Sequence, residues 1–175
     1  MPIWRPAQSL AEADSRAILK VLVDHSVDFV VIGASAAILQ GVPIAATLDL
    51  DVTAASTKKN LARLAAALSD LKAHLRVSDS DTGVSLPLDA RMLANVAVLT
   101  LVTAHGPLDV LFSPSGTPGY EQLRERAVEV APFGLVLRAA HIEDLIAMKK
   151  AAGREKDAAH LTVLLQFMRD QERLE

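Results

Sequence analysis

The sequence has no cysteine, few aromatic residues and no apolar run long enough to cross a bilayer. The absence of cysteine excludes disulfides and thiolate metal sites, and it fits the reducing cytoplasm in which we expect the protein. Aromatic residues make up only 3% of the chain, so Ala, Leu and Val must fill the core. The N-terminal stretch from Met1 to Pro6 lacks the apolar segment of a signal peptide. We therefore expect no membrane partner.

The sequence also has no excess of positive charge. The chain has 18 Lys and Arg residues against 21 Asp and Glu residues, which gives a formal net charge of −3. A protein that coats nucleic acid nonspecifically is usually basic, so only a local basic patch would favour such binding. With 51% hydrophobic residues in 175, disorder is excluded and one compact domain is expected.

The hydrophobic pattern predicts an α/β (α+β) fold: a small mixed sheet with helices against one face and a helical C-terminal part. We expect a single domain over residues 1–175, with its core at about 26–139 and the helical part at about 140–175. Ser9 to Glu12 has the form of a capping box. Helices are predicted at about 9–25, 34–40, 56–73, 120–126, 142–152 and 156–173. Strands are predicted at 28–32, 47–53, 96–103 and 108–112 and on both sides of 132–134, with a hairpin turn at 105–107 and a loop at 78–88.

The segment Thr47 to Thr53 carries the most chemistry. Alternate residues of a strand share a face, so Thr47, Asp49 and Asp51 are predicted to line one side. The apolar residues between them are predicted to enter the core together: Leu48, Leu50 and Val52. Two carboxylates this close repel one another unless a cation lies between them, and oxygen ligands of this kind suit Mg²⁺. The alternative is an exposed strand with two solvated acids.

Two further features of the sequence support a cation-binding site at these acids. Gly33 ends one strand and opens a helix, where free N–H groups and the hydroxyl of Ser35 would form an anion site. Asp109 stands alone between apolar residues on a later strand and would complete a set of three carboxylates. An ordinary strand-to-helix turn and an exposed acid are the competing interpretations.

Together, the turn at Gly33, the pair Asp49 and Asp51, and the later Asp109 resemble the DNA polymerase β-type nucleotidyltransferase superfamily. The resemblance implies that Gly33 and Ser35 contact a nucleoside triphosphate. Thr47 is expected to contact the nucleotide because it shares the face of the acids. The resemblance also implies that the three acids hold two Mg²⁺ ions, with Mn²⁺ as a substitute, and that Asp109 orients the acceptor.

The stretch from Asp144 to Asp157 resembles the closing signature of the AbiEii/MenT group of toxin-like nucleotidyltransferases. That resemblance implies a catalytic Lys149 that reaches the triphosphate, and a pocket completed by Arg154, Lys156 and Asp157. Considered without the resemblance, these basic residues form either a solvated helix face or a counterpart to the acids.

The resulting hypothesis is an enzyme that moves a nucleoside monophosphate from an NTP to a hydroxyl and releases pyrophosphate. By the resemblance, the acceptor is the 3′ end of tRNA and a cognate antitoxin is the partner protein. Two competing hypotheses stay open: an antitoxin-type nucleotidyltransferase that modifies a partner protein, and a nucleotide- or protein-binding module without catalysis.

Overall fold

The computed structural model describes the backbone of residues 10–174 and the side chains of residues 15–174. The capping box expected at Ser9 to Glu12 lies outside these described side chains. Within this range the helices are α1 Leu10–Asp24, α2 Gly33–Leu39, α3 Lys58–Asp70, α4 Ala90–Leu93, α5 Tyr120–Arg126, α6 Ile142–Ala152 and α7 Glu155–Glu172. The strands are β1 Phe29–Ile32, β2 Leu50–Ala54, β3 His74–Val77, β4 Ser80–Val84, β5 Val98–Thr103, β6 Gly106–Leu111, β7 Val128–Val130 and β8 Leu137–Ala139.

The strands form one mixed sheet in the order β4-β3-β5-β6-β2-β1-β8-β7. β2 runs parallel to β6 and β1 parallel to β8, whereas the remaining neighbouring pairs are antiparallel. The helices α6 and α7 follow the last strand and contact each other. The predicted fold class, a mixed sheet with flanking helices and a helical C-terminal part, is confirmed. None of the helices in the described range combines the length and the apolar character needed to span a bilayer.

One face of the central strands is continuously apolar. Leu50 pairs with Leu108 and Val52 with Val110, and residues directly opposite one another share a face. All four are buried, and the helices α1 and α3 supply further buried leucines and an isoleucine to the same core. With few aromatic residues, aliphatic side chains fill the core as expected. The opposite face of these strands carries the polar residues.

The strand predicted at 47–53 begins only at Leu50, and the predicted burial of Leu48 is wrong because 77% of this residue is exposed. The cause is local. The Thr47 hydroxyl donates to the backbone oxygen of Asp49 at 2.6 Å and accepts from its N–H at 3.1 Å, which folds the chain into a turn. Strand alternation therefore does not extend to Thr47 and Leu48.

The loop predicted at 78–88 is also wrong, because Ser80–Val84 forms β4. The helix predicted at 56–73 ends at Asp70, and His74–Val77 forms a strand that the sequence did not reveal. These two short strands pair with each other, and β3 pairs with β5. β3 alternates polar and apolar residues over only four positions, and β4 is polar or glycine up to Val84, so their sequence patterns were too short to predict them as strands. The hairpin between β5 and β6 is confirmed, with its turn at Ala104 and His105.

Candidate active site

The register of the sheet places two acids side by side. Asp51 of β2 lies directly opposite Asp109 of the parallel strand β6, and Thr100 of β5 lies opposite Asp109 on the other side. Because paired residues share a face, Asp51, Asp109 and Thr100 all project from the polar face of the sheet. Asp49 lies immediately before β2. The three acids expected from the sequence are thus brought together by strand pairing.

Gly33 packs directly against one of these acids. Its φ of +67° lies in the left-handed region, and a Cβ built on it would collide with Oδ2 of Asp51. Glycine is therefore required at this position both by the backbone conformation and by the close approach of the carboxylate. The turn in which α2 begins and the carboxylate strand are in contact, as the sequence predicted from their order. Ser35 lies in the first turn of α2 and is half-buried.

The three acids repel one another, and Asp51 shows the effect most clearly. Burial, and then the negative charges of Asp109 and Asp49, raise the pKa of Asp51 from 3.8 to about 7. Burial also raises the pKa of Asp109, although the Arg76 guanidinium opposes that rise. The buried position of Asp51 beside two other acids therefore favours its protonated form.

Arg76 is a site residue that the sequence did not reveal. Its Nη1 donates to Oδ1 of Asp49 at 3.2 Å, and its Nη2 donates to Oδ1 and Oδ2 of Asp109 at 3.1 and 3.4 Å. Arg76 lies on β3, which was expected to be outside any strand, so nothing local to the sequence pointed to it. Its arrival at the acids depends on the pairing of β3 with β5.

A second group of cations approaches Asp51 from the C-terminal helices. Lys149 of α6 and Arg154 both lie near enough to favour the ionised form of Asp51 and so lower its pKa, and Lys156 acts in the same way on Asp109. The structure therefore brings the basic residues of the C-terminal signature to acids that lie far away in the chain. The alternative of a solvated helix face does not hold for Lys149, whose side chain is only 12% exposed.

Asp157 is buried between two of these cations. Lys149 donates from Nζ to Oδ1 of Asp157 at 3.0 Å, and Arg154 donates from Nε to Oδ2 at 2.6 Å. Burial alone would raise the pKa of Asp157, but the hydrogen bonds from Arg154 and Lys149 outweigh it and leave the pKa below its usual value. In this arrangement Asp157 orients the two cations.

Known proteins show what this architecture resembles. No family model matches the chain, and the curated protein sequences contain no match. Solved structures do match. The lincosamide antibiotic adenylyltransferase LnuA, with lincomycin bound, gives a TM-score of 0.58 at 14% identity, over 87% of this chain and 95% of that one. The fold is that of nucleotidyltransferases.

Two further nucleotidyltransferase structures support this conclusion. ANT(2'')-Ia in complex with adenylyl-2''-tobramycin gives a TM-score of 0.55 at 14% identity, over 90% of this chain and 89% of that one. A Thermotoga maritima protein provisionally assigned as a nucleotidyltransferase gives 0.51 at 18% identity, over 87% and 90%. At such low identity the likeness concerns the fold, and the resemblance of residues 144–157 to the AbiEii/MenT group stays a prediction.

The acids of this nucleotidyltransferase fold have the donor chemistry for a divalent cation. Three carboxylates supply hard oxygen ligands, and the pKa of Asp51 is raised first by burial and then by the negative charges of Asp109 and Asp49, which a cation would offset. Among the described residues, however, no three acidic or histidine side chains are grouped closely enough to hold a metal ion as they stand. The guanidinium of Arg76 bridges Asp49 and Asp109, so these two carboxylates are already paired with a cation. By its chemistry, the set of three carboxylates suits a divalent cation.

Proposed function

We propose that the chain is a metal-dependent nucleotidyltransferase that transfers a nucleoside monophosphate from an NTP to an acceptor hydroxyl. The observation that carries the proposal is the convergence around Asp51 of two further carboxylates, the Gly33 turn and the cations of the C-terminal helices. Negative charge for metal ions and positive charge for phosphates thus lie next to each other. Phosphoryl transfer depends mainly on positioning and electrostatic stabilisation of this kind.

Each group has a role in this proposal. Asp49, Asp51 and Asp109 would hold two Mg²⁺ ions, with Mn²⁺ as a substitute, and the ions would supply positive charge to the phosphate oxygens. Asp109 orients the acceptor hydroxyl and accepts its proton, while the hydroxyl oxygen forms a bond to the α-phosphorus and the bond to pyrophosphate breaks. Lys149 neutralises the charge that develops on the leaving pyrophosphate.

The other residues predicted to contact the nucleotide lie at the start of α2, in the C-terminal helices and just before β2. The first N–H groups of α2, which begins at Gly33 beside the Asp51 carboxylate, are proposed to bind phosphate together with the hydroxyl of Ser35. Arg154 and Lys156 complete the cationic side of the pocket, and Asp157 holds Lys149 and Arg154 in place. Thr47 has its hydroxyl engaged by the backbone of Asp49, so a nucleotide contact from it requires that turn to open.

For the acceptor, we propose the 3′ end of tRNA, with a cognate antitoxin as the partner of a toxin. The resemblance of residues 144–157 to the AbiEii/MenT group supports this choice, and these residues lie close to the acids.

A second acceptor class, a small molecule, is favoured by two of the matching solved structures. LnuA is a lincosamide antibiotic adenylyltransferase, and ANT(2'')-Ia is seen with adenylyl-2''-tobramycin. The two competing hypotheses from the sequence, an antitoxin-type enzyme that modifies a protein and a module without catalysis, are distinguished by the same experiment.

The test is incubation of the protein and Mg²⁺ with each α-labelled NTP and, in separate reactions, total RNA, total protein, lincomycin or tobramycin. We expect labelled RNA and released pyrophosphate. Asp49→Ala should reduce labelling by at least about a hundredfold, because it removes a carboxylate of the proposed metal site. Asp170→Ala, an exposed acid on α7, is the matched control and should leave labelling unchanged.

The contrary results each point to one hypothesis. Unchanged labelling in Asp49→Ala would reject the mechanism. Labelled protein without labelled RNA would favour the antitoxin-type enzyme, and a labelled antibiotic would favour the small-molecule acceptor. No pyrophosphate release with any NTP and acceptor would support the non-catalytic module.

A further inference from the structure

The guanidinium of Arg76 pairs with two of the three carboxylates that are proposed to bind metal. It bridges Asp49 and Asp109, two of the three carboxylates, through three hydrogen bonds of 3.1–3.4 Å. The fork of the guanidinium matches this geometry, which a single ammonium group cannot reproduce. The cations that lower the pKa of Asp51, by contrast, belong to the C-terminal helices.

We propose that Arg76 is the internal counter-cation of Asp49 and Asp109 and that divalent metal must displace it, so Arg76 sets the metal affinity of the site. The inference rests on the proposed function, because it assumes that the acids bind metal. The proposal gives a role to Arg76, which lies on β3. In the sheet, β5 separates β3 from the strands that carry Asp109 and Asp51.

The physical argument is competition between like charges. A guanidinium and a metal ion placed between Asp49 and Asp109 would compete for the same two carboxylates and repel each other. Every metal-binding event therefore breaks two ion pairs. Arg76 and its partners are partly exposed, with side chains that are 20–37% accessible, so each pair is weak enough to be exchanged.

Displacement is also sterically reasonable. Arg76 is anchored on the short hairpin formed by β3 and β4, near the edge of the sheet. The outer strand β4 has no further strand beside it within the described residues, and the register of β3 with β4 shifts between Leu75 and Val77. The long side chain can leave the acids by rotating about its own bonds, without any change in strand pairing.

The test measures binding of Mn²⁺ alone, by titration calorimetry or by the paramagnetic resonance signal of the free ion, with no nucleotide present. Arg76→Ala should bind Mn²⁺ about five- to tenfold more tightly than the wild type, because two weak ion pairs no longer compete. Arg76→Lys should fall between the two. Arg91→Ala, an exposed arginine on α4, is the matched control and should bind as the wild type does.

Thermal unfolding provides a second measurement that does not depend on activity. In EDTA, Arg76→Ala should unfold at a lower temperature than the wild type, because Asp49 and Asp109 lose their counter-cation. Mn²⁺ should raise the Tm of Arg76→Ala more than that of the wild type.

The results separate this proposal from the proposed function. Mn²⁺ binding that is lost in Asp51→Asn but is equally tight in the wild type and Arg76→Ala would overturn the role of Arg76 alone. Weaker binding by Arg76→Ala would overturn it as well. If neither the wild type nor any variant binds Mn²⁺, the metal site itself fails and both proposals fall.

Discussion

Asp51 stands where three features of the site meet: the register partner Asp109, the close approach of Gly33 and the cations of the C-terminal helices. Its carboxylate is buried beside two more acids, and this raises its pKa to about 7. A group of this kind destabilises the fold when it is ionised, because the unfolded chain accommodates the charge in water. A destabilising buried carboxylate of this kind is typical of functional sites, including sites that bind cations.

The pH dependence follows from the direction of this shift. Below about pH 4 the Asp51 carboxyl is protonated in both the folded and the unfolded chain, and it contributes nothing. Between about pH 4 and pH 7 the folded chain holds the proton more tightly, so its stability falls as the pH rises; above pH 7 the loss is complete. Asp51→Asn removes the titrating group. In EDTA, the variant should therefore unfold at a higher temperature than the wild type, by a margin that widens from pH 4 to pH 7.

Thermal unfolding of both proteins at several pH values in this range measures the margin. Asp170→Asn, at an exposed position of α7, controls for the loss of one negative charge. A constant difference between Asp51→Asn and the wild type across the range would contradict the raised pKa.

Among the elements, α3 is attached to the sheet by one buried polar side chain. Thr57 caps this helix by accepting from the N–H of Asn60. The Asn60 side chain accepts from the N–H of Asp28 at 2.7 Å and donates to the backbone oxygens of Asp28 and Ala55 at 3.0 and 2.8 Å. It thus satisfies backbone groups just before β1 and just after β2, at the end of these two strands that lies opposite the site.

Asn60→Ala should lower the free energy of unfolding by about 2–4 kcal/mol, because three hydrogen bonds to the backbone are lost in a buried place, although the oxygen of Asp28 keeps the N–H of Ala55 as a donor. Urea denaturation measures the change. Asn95→Ala is the control: that asparagine is exposed and makes one hydrogen bond, to the backbone of Arg91, so about 0.5 kcal/mol is expected. Equal effects of the two substitutions would show that Asn60 does not hold α3 to the sheet.

Over the whole molecule, the site is assembled from three distant parts of the chain. Gly33 and the acids come from the central strands, Arg76 from the edge hairpin, and Lys149 from the C-terminal helices. Asp157, in the first turn of α7, holds the C-terminal helices together. It accepts from Lys149 of α6 and from Arg154, which immediately precedes α7. The position of the cations relative to the acids therefore depends on this one buried carboxylate.

Asp157→Asn should destabilise the protein by about 3 kcal/mol, because it leaves the ammonium of Lys149 buried without a full negative charge. Lys149→Met alone should also destabilise it, by leaving Asp157 with Arg154 only. The double variant should be more stable than the sum of the two losses predicts, and a double-mutant cycle in urea measures this coupling. Strictly additive effects would show that the two residues do not interact in solution.

Local information in the sequence was sufficient for most elements of the fold. The helices α5, α6 and α7, the hairpin between β5 and β6 and the short strands β7 and β8 follow from patterns in neighbouring residues. The same local information identified the three acids as one set, because their order and spacing resemble a known superfamily.

The chain by itself therefore determined which residues carry charge and which stretches bury an apolar face, since both depend on neighbours in the sequence. Only the tertiary structure decided that Asp109 lies opposite Asp51, that Leu48 is exposed, that β3 exists and that Arg76 reaches the acids. The physical reason is that register and edge pairing are set by hydrogen bonds between segments far apart in the chain, and alternation within one segment contains no information about its partner.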